Sequence, residues 1–135
     1  PAEEGTTIEL GGRTLKYYTA PGHTYGNCVI LDVTNRILFP GDIVQTGTMF
    51  MFGSHRCPEK MAESLKKLLT LKPDINKIYA CHGKTILPPD AIDEAIKAWS
   101  MVLNKEVEPE PRVVFGTPVH LYRCGFCNFY CECDA

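Results

Sequence analysis

The sequence has no excess of charge of either sign and no long apolar run, and each absence excludes a class of protein. Its 14 Lys and Arg nearly balance 16 Asp and Glu, for a formal net charge of −2. Nucleic-acid-binding proteins usually present a basic face, so we expect no nucleic-acid partner. No apolar stretch is long enough to cross a bilayer and no signal peptide opens the chain, so we expect no membrane association and a cytoplasmic location.

Disulfides are also not expected, although cysteine is abundant. The seven Cys are an odd number that cannot pair completely, and a cytoplasmic chain keeps free thiols or metal ligands. Four of them lie in the Cys-rich tail, residues 124–133, and these are Cys124, Cys127, Cys131 and Cys133. Such a cluster suits zinc or an iron–sulfur cluster as a second metal site. The alternative, a final β-strand rich in aromatic residues, is the one that we favour, because the Cys pairs are too close for separate zinc knuckles.

The remaining sequence predicts a globular chain with several short strands. Its 135 residues and hydrophobic content of 44% suffice for one domain with a buried core. Alternating or β-branched runs predict strands, the first two of which meet at a Gly-Gly turn. The predicted strands cover residues 6–10, 13–19, 28–33, 36–39 and 75–81, with one or two more within 113–122. Short turns join the strands between residues 8 and 42, which predicts one mainly antiparallel sheet.

Two amphipathic segments predict helices that cover this sheet. The first begins at Pro58 and runs to Leu69, and the second begins at Pro88 and runs to about Asn104. Their predicted buried stripes are Met61, Leu65, Leu68 and Leu69 on the first helix and Ile92, Ala95, Ile96, Trp99 and Leu103 on the second. Residues 43–57 are apolar but interrupted by glycines, and we predict a loop that packs over the site described next.

Three side chains of metal-binding type lie at the ends of predicted strands. His23 lies in a loop rich in Gly and Pro, Asp42 follows a strand at a Gly-Asp turn, and His82 follows the strand over residues 75–81. Imidazole nitrogens and carboxylate oxygens bind zinc and other transition metals. Taken singly, each residue also fits a structural role in its own turn. We favour a metal site because all three lie where strands end.

The segments around these residues resemble the second half of the metallo-β-lactamase superfamily. APGHTYG at residues 20–26, ILFPGD at 37–42 and CHG at 81–83 follow, in order, the family's Thr-Pro-Gly-His-Thr-x-Gly segment, its Leu-Phe-x-Gly-Asp turn and its strand ending in His-Gly. The resemblance covers about residues 6–105. It implies an α/β fold in a single domain over residues 1–135: half of the family's αββα sandwich, with a mainly antiparallel sheet covered by two helices. The family's His-x-His-x-Asp-His motif appears nowhere in this sequence.

The resemblance also implies a role for each ligand. In the family, the residue at the position of His23 completes a first zinc site, the one at Asp42 bridges two metals, and the one at His82 binds the second metal. Two zinc ions, or iron or manganese in some branches, activate a water for hydrolysis. Aspartate rather than cysteine at position 42 favours the glyoxalase-like hydrolases, which leaves the small-molecule substrate open. The other ligands belong to the absent motif, so we predict the C-terminal part of a metal-dependent hydrolase, inactive alone.

Half of such a sandwich exposes a sheet face or edge. We therefore expect a homo-oligomer, or pairing with an N-terminal half of the same fold. Two other functions stay open from the residues alone. One is an interaction module without catalysis, and the other is a small metal-binding protein that uses the Cys-rich tail.

Overall fold

The computed structural model describes residues 2–133 and places them in two β-sheets and two α-helices. The strands are Thr7–Glu9 (β1), Thr14–Thr19 (β2), Cys28–Asp32 (β3), Ile37–Phe39 (β4), Thr48–Met51 (β5), Lys77–Tyr79 (β6), Ile86–Leu87 (β7), Glu110–Val114 (β8), Thr117–Arg123 (β9) and Asn128–Glu132 (β10). The helices are Pro58–Leu71 (α1) and Ala91–Leu103 (α2), and one 3₁₀ turn, Lys72–Asp74, follows α1. The predicted α/β class with two helices is confirmed.

The first sheet has the strand order β1-β2-β3-β4-β6-β7. β1 to β4 are antiparallel neighbours joined by short connections, as the sequence predicts for residues 8–42. β6 pairs in parallel with β4. This is possible because α1 lies between the two strands in the chain and brings the chain back to the end of the sheet at which β4 begins. Val29 and Leu31 of β3 are buried, as expected for a strand with neighbours on both sides.

A second sheet, with the order β5-β10-β9-β8, was not predicted. The prediction of a loop over residues 43–57 is wrong for β5, which runs parallel to β10 with Met49 opposite Phe129. Met49 and Met51 are buried and alternate with the less buried Thr48 and Phe50, the pattern of a strand with one covered face. The partner of β5, β10, lies near the end of the chain. The short run of residues 48–51 between glycines was therefore not enough to identify β5 as a strand.

Both helices differ from their predicted bounds at one end. α1 begins at Pro58 as predicted and continues to Leu71, whereas α2 begins at Ala91 rather than Pro88. Two residues assigned to the buried stripes, Leu69 and Leu103, are 39% and 56% exposed. Both lie in the last turn of their helix. The rest of the stripes is buried or partly buried, and the fully buried members are Met61, Leu65, Leu68, Ile92, Ala95 and Trp99.

The core joins the first sheet, both helices and one face of the second sheet. Trp99 of α2 meets Phe129 of β10 edge-on, with ring centroids 5.0 Å apart, and both side chains are almost fully buried. This contact attaches the second sheet to the helical layer. Within the described part of the chain, no helix has the length and apolarity needed to cross a membrane.

Candidate metal centre

The topology of the first sheet brings the three predicted ligands to one end of neighbouring strands. His23 lies in the loop between β2 and β3, Asp42 follows β4, and His82 follows β6. Because β3 is antiparallel to β4 and β6 is parallel to it, the start of β3 and the ends of β4 and β6 lie at the same end of the sheet.

The loop that holds His23 is pressed against α1. A Cβ atom on Gly22 would lie 3.0 Å from the Cα of Met61, so the backbone approaches the helix too closely for a larger residue. The hydroxyl of Ser64 in α1 donates to the carbonyl of Pro21 at 2.6 Å. These contacts explain why a Pro-Gly pair precedes His23, because both residues contact α1 and thereby fix the position of the loop.

Asn27 connects the His23 loop to the turn that carries Asp42. Its Nδ2 donates to the carbonyl of Ala20 at 2.9 Å, and its Oδ1 accepts from the backbone N–H of Asp42 at 3.3 Å. One side chain therefore holds two of the predicted ligands in register. This role of Asn27 was not predicted, because an Asn between a Gly and a strand indicates no more than a turn.

His82 is held by the glycine that follows it. Gly83 has a φ of 74°, in the left-handed region, and a Cβ atom there would lie 2.2 Å from Thr46 Oγ1. The same Thr46 hydroxyl accepts from the backbone N–H of Lys84 at 2.8 Å. The His-Gly pair is thus fixed against the segment that follows Asp42.

The Asp42 carboxylate lies between the two histidines. Its Oδ1 is 3.0 Å from Nε2 of His82, and its Oδ2 is 3.6 Å from Nε2 of His23. Two ligands that each lie about 2.1 Å from one tetrahedral zinc ion are roughly 3.4 Å apart. Each histidine therefore faces its own carboxylate oxygen at a separation that suits two ligands of one ion, which is the arrangement of a carboxylate that bridges two metals.

The two histidines and Asp42 are chemically suited to hold one metal ion at each carboxylate oxygen, but each ion would have few protein ligands. Within residues 2–133, no group of three or more His, Cys, Asp and Glu side chains is arranged to hold one ion. Catalytic zinc usually has three protein ligands, whereas each position here has one histidine and the shared Asp42.

Arg56 is a second residue of the site that was not predicted. Its Nη1 lies 2.9 Å from Nε2 of His23 and donates to the His23 carbonyl at 3.0 Å. Because a guanidinium only donates, this contact is a hydrogen bond when Nε2 carries the lone pair, which is the neutral tautomer with its proton on Nδ1. Burial lowers the pKa of His23 and the Arg56 charge lowers it further, while Asp42 opposes both. No local pattern identifies Arg56, since 33 residues separate it from His23.

A cavity of about 390 Å³ opens beside His23 and His82. The remaining residues that line it are Gln45, Thr48, Met49, Phe50 and Arg56. Gln45 is 2% exposed, and its Nε2 donates to the Asp42 carbonyl at 3.0 Å. Among the described residues, neither its Oε1 nor Nδ1 of His23 has a hydrogen-bond partner; the Phe50 backbone favours the protonated His23 ring without the geometry of a hydrogen bond. The residues that line the cavity therefore include apolar side chains and two polar side chains that each have one buried, unpaired atom.

The Cys-rich tail forms the hairpin of β9 and β10. Cys124 and Cys127 lie in its turn, where the N–H of Cys124 donates to the Cys127 carbonyl at 3.2 Å, and both side chains are buried. Burial raises the pKa of Cys124 and raises that of Cys127 to about 12, so both are protonated thiols at neutral pH. The favoured prediction of a final strand is confirmed by β10. The alternative, a metal site that also uses Cys131 and Cys133, stays a prediction.

The fold and the three strand-end residues can be compared with those of a known class of protein. Residues 1–82 match the family model of the metallo-beta-lactamase superfamily. The match covers more than half of the chain and ends at His82. The chain therefore belongs to the metallo-beta-lactamase superfamily, and the predicted resemblance is confirmed.

Individual relatives agree with this assignment. A hydroxyacylglutathione hydrolase of Crocosphaera subtropica is 38% identical over 88 residues, 62% of this chain and 34% of the relative. The acyl-coenzyme A thioesterase MBLAC2 of Gallus gallus is 43% identical over 47 residues, 35% of this chain and 17% of the relative. An archaeal metallo-beta-lactamase superfamily protein of Sulfolobus tokodaii has the same fold, with a TM-score of 0.58 and 21% identity over 84% of this chain and 43% of its own. The chain thus spans less than half the length of these relatives.

Proposed function

We propose that this chain contributes part of the metal centre of a hydrolase that acts on thioesters, with His23, Asp42 and His82 as metal ligands. The observation that carries the proposal is the Asp42 carboxylate, which presents one oxygen to each histidine at ligand-to-ligand distance. The substrate class rests on the names of two relatives, a hydroxyacylglutathione hydrolase and an acyl-coenzyme A thioesterase. Both names describe hydrolysis of a thioester.

Each residue at the centre has a separate task in this proposal. His23 and Asp42 would hold one metal ion, and His82 and Asp42 a second, with zinc the expected metal and iron or manganese the alternatives. When bound, zinc supplies a Lewis acid and, at neutral pH, a hydroxide nucleophile. The cavity beside the two histidines would hold the thioester.

The chain alone supplies two protein ligands for each metal. Since catalytic zinc usually has three, we propose that the isolated chain binds metal weakly and does not turn over substrate. An N-terminal half of the same fold, or a second copy of the chain, would have to complete the centre.

Metal content is the test of the centre. The purified chain is dialysed to equilibrium against a fixed concentration of zinc, and the bound zinc is measured by plasma mass spectrometry as the excess over the outer buffer. The same measurement is made on His23→Ala, the control His120→Ala in β9, and a Cys124→Ser, Cys127→Ser double variant. We expect zinc in the wild type, the His120 variant and the double variant, and its loss in His23→Ala. Zinc that survives His23→Ala but not the double variant would assign the metal to the tail. No zinc in any protein would contradict the proposal and leave the interaction module.

Thioester hydrolysis is the test of the substrate class. Thiol release from an acylglutathione is followed with the zinc-loaded chain, alone and mixed with the N-terminal part of the Crocosphaera subtropica relative. We expect no release from either part alone and release from the mixture that disappears with His23→Ala. A mixture that binds zinc and cleaves a lactone or phosphodiester instead would contradict the thioester assignment.

A further inference from the structure

Four aromatic side chains form a continuous surface on the second sheet. Phe50 is its centre, with ring-centroid distances of 5.5 Å to Tyr130, 5.9 Å to Phe52 and 5.9 Å to Phe115. Phe115 is 86% exposed, and the other three are partly buried. We call Phe50, Phe52, Phe115 and Tyr130 the aromatic surface.

The aromatic surface lies on the side of the sheet that faces away from the core. Phe50 of β5 is directly opposite Tyr130 of β10, so their side chains share a face. The preceding residues on the two strands, Met49 and Phe129, point to the other face and are buried in the core.

The outward face also holds Leu121, opposite Tyr130, and Val119, opposite Glu132. Both are buried but lie outside the main core cluster, so the aromatic surface shields them, and the exposed Phe115 ring is the part that remains for a ligand.

The aromatic surface continues into the candidate centre. Phe50 also lines the cavity that contains His23 and His82. A molecule whose reacting group lies beside the two histidines can therefore extend an apolar part over Phe50 toward Phe115, whose ring contacts that of Phe50.

Phe115 is retained in a conformation that disfavours it. It joins β8 to β9 together with Gly116, and Val114 pairs with Thr117 across the turn. Both turn residues have positive φ, 49° for Phe115 and 77° for Gly116. Such two-residue turns favour Asn followed by Gly, and a bulky side chain at positive φ is strained. Strain of this kind is usually kept where a side chain has a function, and the exposed ring makes its contact with Phe50.

We infer that the aromatic surface binds the apolar acyl chain of the thioester, so that the substrate class is a medium- or long-chain acyl thioester. The inference rests on the proposed function. An acyl chain matches the surface because it is uncharged and flexible, and each methylene that leaves water strengthens binding. A second copy of the chain is the other occupant that a surface of this kind suits, and the experiment separates the two.

The test uses two probes that cannot be hydrolysed, the S-butyl and S-octyl thioethers of N-acetylcysteamine. Their affinities are measured by isothermal titration calorimetry in the presence of EDTA, for the wild type, Phe115→Asn and the matched control Val113→Asn. Val113 is 72% exposed on the same hairpin, but its strand position places it on the other face. Asn suits the positive φ of residue 115, so Phe115→Asn should fold.

For the wild type we expect the octyl probe to bind about tenfold more tightly than the butyl probe. Phe115→Asn should reduce this preference to roughly twofold, since fewer methylenes then leave water, and Val113→Asn should keep it. Equal affinities in the wild type, or equal losses in both variants, would overturn the inference. The surface would instead be assigned to a second copy of the chain by two results together. The wild type would bind both probes equally, and sedimentation equilibrium would show that Phe115→Asn abolishes self-association. EDTA removes any bound metal, so the affinities report on the aromatic surface alone. The result can therefore be interpreted even if the test of zinc binding fails.

Discussion

Arg56 is the residue that distinguishes the candidate centre from a simple set of ligands. Its guanidinium lies 2.9 Å from Nε2 of His23, the nitrogen that faces Asp42. Burial lowers the pKa of His23 and the guanidinium charge lowers it further, which favours the neutral imidazole that a metal ligand needs. At the same time the guanidinium places a permanent positive charge where a metal ion would bind. Its second bond, to the His23 carbonyl, holds it there.

We predict that Arg56→Gln raises the zinc affinity of the chain about tenfold. Two unit charges 4 Å apart repel each other by about 1 kcal/mol even in bulk water, and zinc carries two charges. The affinity is measured by competition with a chromophoric chelator, with Arg112→Gln in the second sheet as the control for loss of one charge. An unchanged or lower affinity in Arg56→Gln would mean that Arg56 supports the metal site rather than competing with it.

At this scale the sequence predicted the residues whose neighbours along the chain explain them. His23, Asp42 and His82 stand next to glycines at strand ends, and the close approaches at Gly22 and Gly83 show why those glycines are required. Asn27 and Arg56 act through contacts with distant segments, so no local pattern could indicate them.

Among the elements, the turn between β3 and β4 depends on one buried carboxylate. Asp32 accepts from the backbone N–H of Asn35 at 2.9 Å and from its side chain at 3.0 Å, and Nε of Arg13 donates to it at 2.9 Å. Its side chain is fully buried. The Asn35 side chain is the main cause that lowers the pKa of Asp32 to about 2, against the effect of burial and with the help of Arg13.

This turn should lose its stabilisation in acid. Because the pKa of Asp32 is lower in the folded chain than its ordinary value of 3.8, its contribution is complete above about pH 4 and is lost as the pH falls toward 2. We predict that Asp32→Asn lowers the urea midpoint at pH 7 and that the difference from the wild type narrows below pH 4. Against the effect of burial, hydrogen bonds from Thr19 and Lys67 lower the pKa of Glu4 to about 2, but Glu4 titrates in both proteins and cancels. A difference that stays constant with pH would contradict the assignment.

Elements were predictable where their own residues carry the pattern. Helices α1 and α2 show apolar stripes at helical spacing, and β1 to β4 are joined by short turns, so both were found within a few residues. β5 is different, because it is a strand only through its pairing with β10. Its position beside the candidate centre also makes Phe50 part of the cavity. The predicted loop over residues 43–57 gave no indication of this.

For the molecule as a whole, the sheet edges decide how the chain associates. The two sheets end in β1, β7, β5 and β8. Three of these edges have features that discourage further pairing: β1 contains Glu9, β7 has only two residues, and β8 contains Pro111 between charged residues. β5 has the sequence Thr-Met-Phe-Met, without charge or proline, and pairs on one side only.

We therefore predict that the chain associates through the free edge of β5, either with a second copy or with an N-terminal half of the fold. Sedimentation equilibrium of the purified chain should show a mass that rises with concentration. Hydrogen exchange at residues 48–51 should slow over the same concentrations, because new backbone hydrogen bonds protect these amides. The central strand β3, paired on both sides, is the internal control and should exchange at a constant rate. A compact monomer at high concentration would contradict self-association, and a dimer without added protection in β5 would place the contact elsewhere, for which the aromatic surface is the next surface to test.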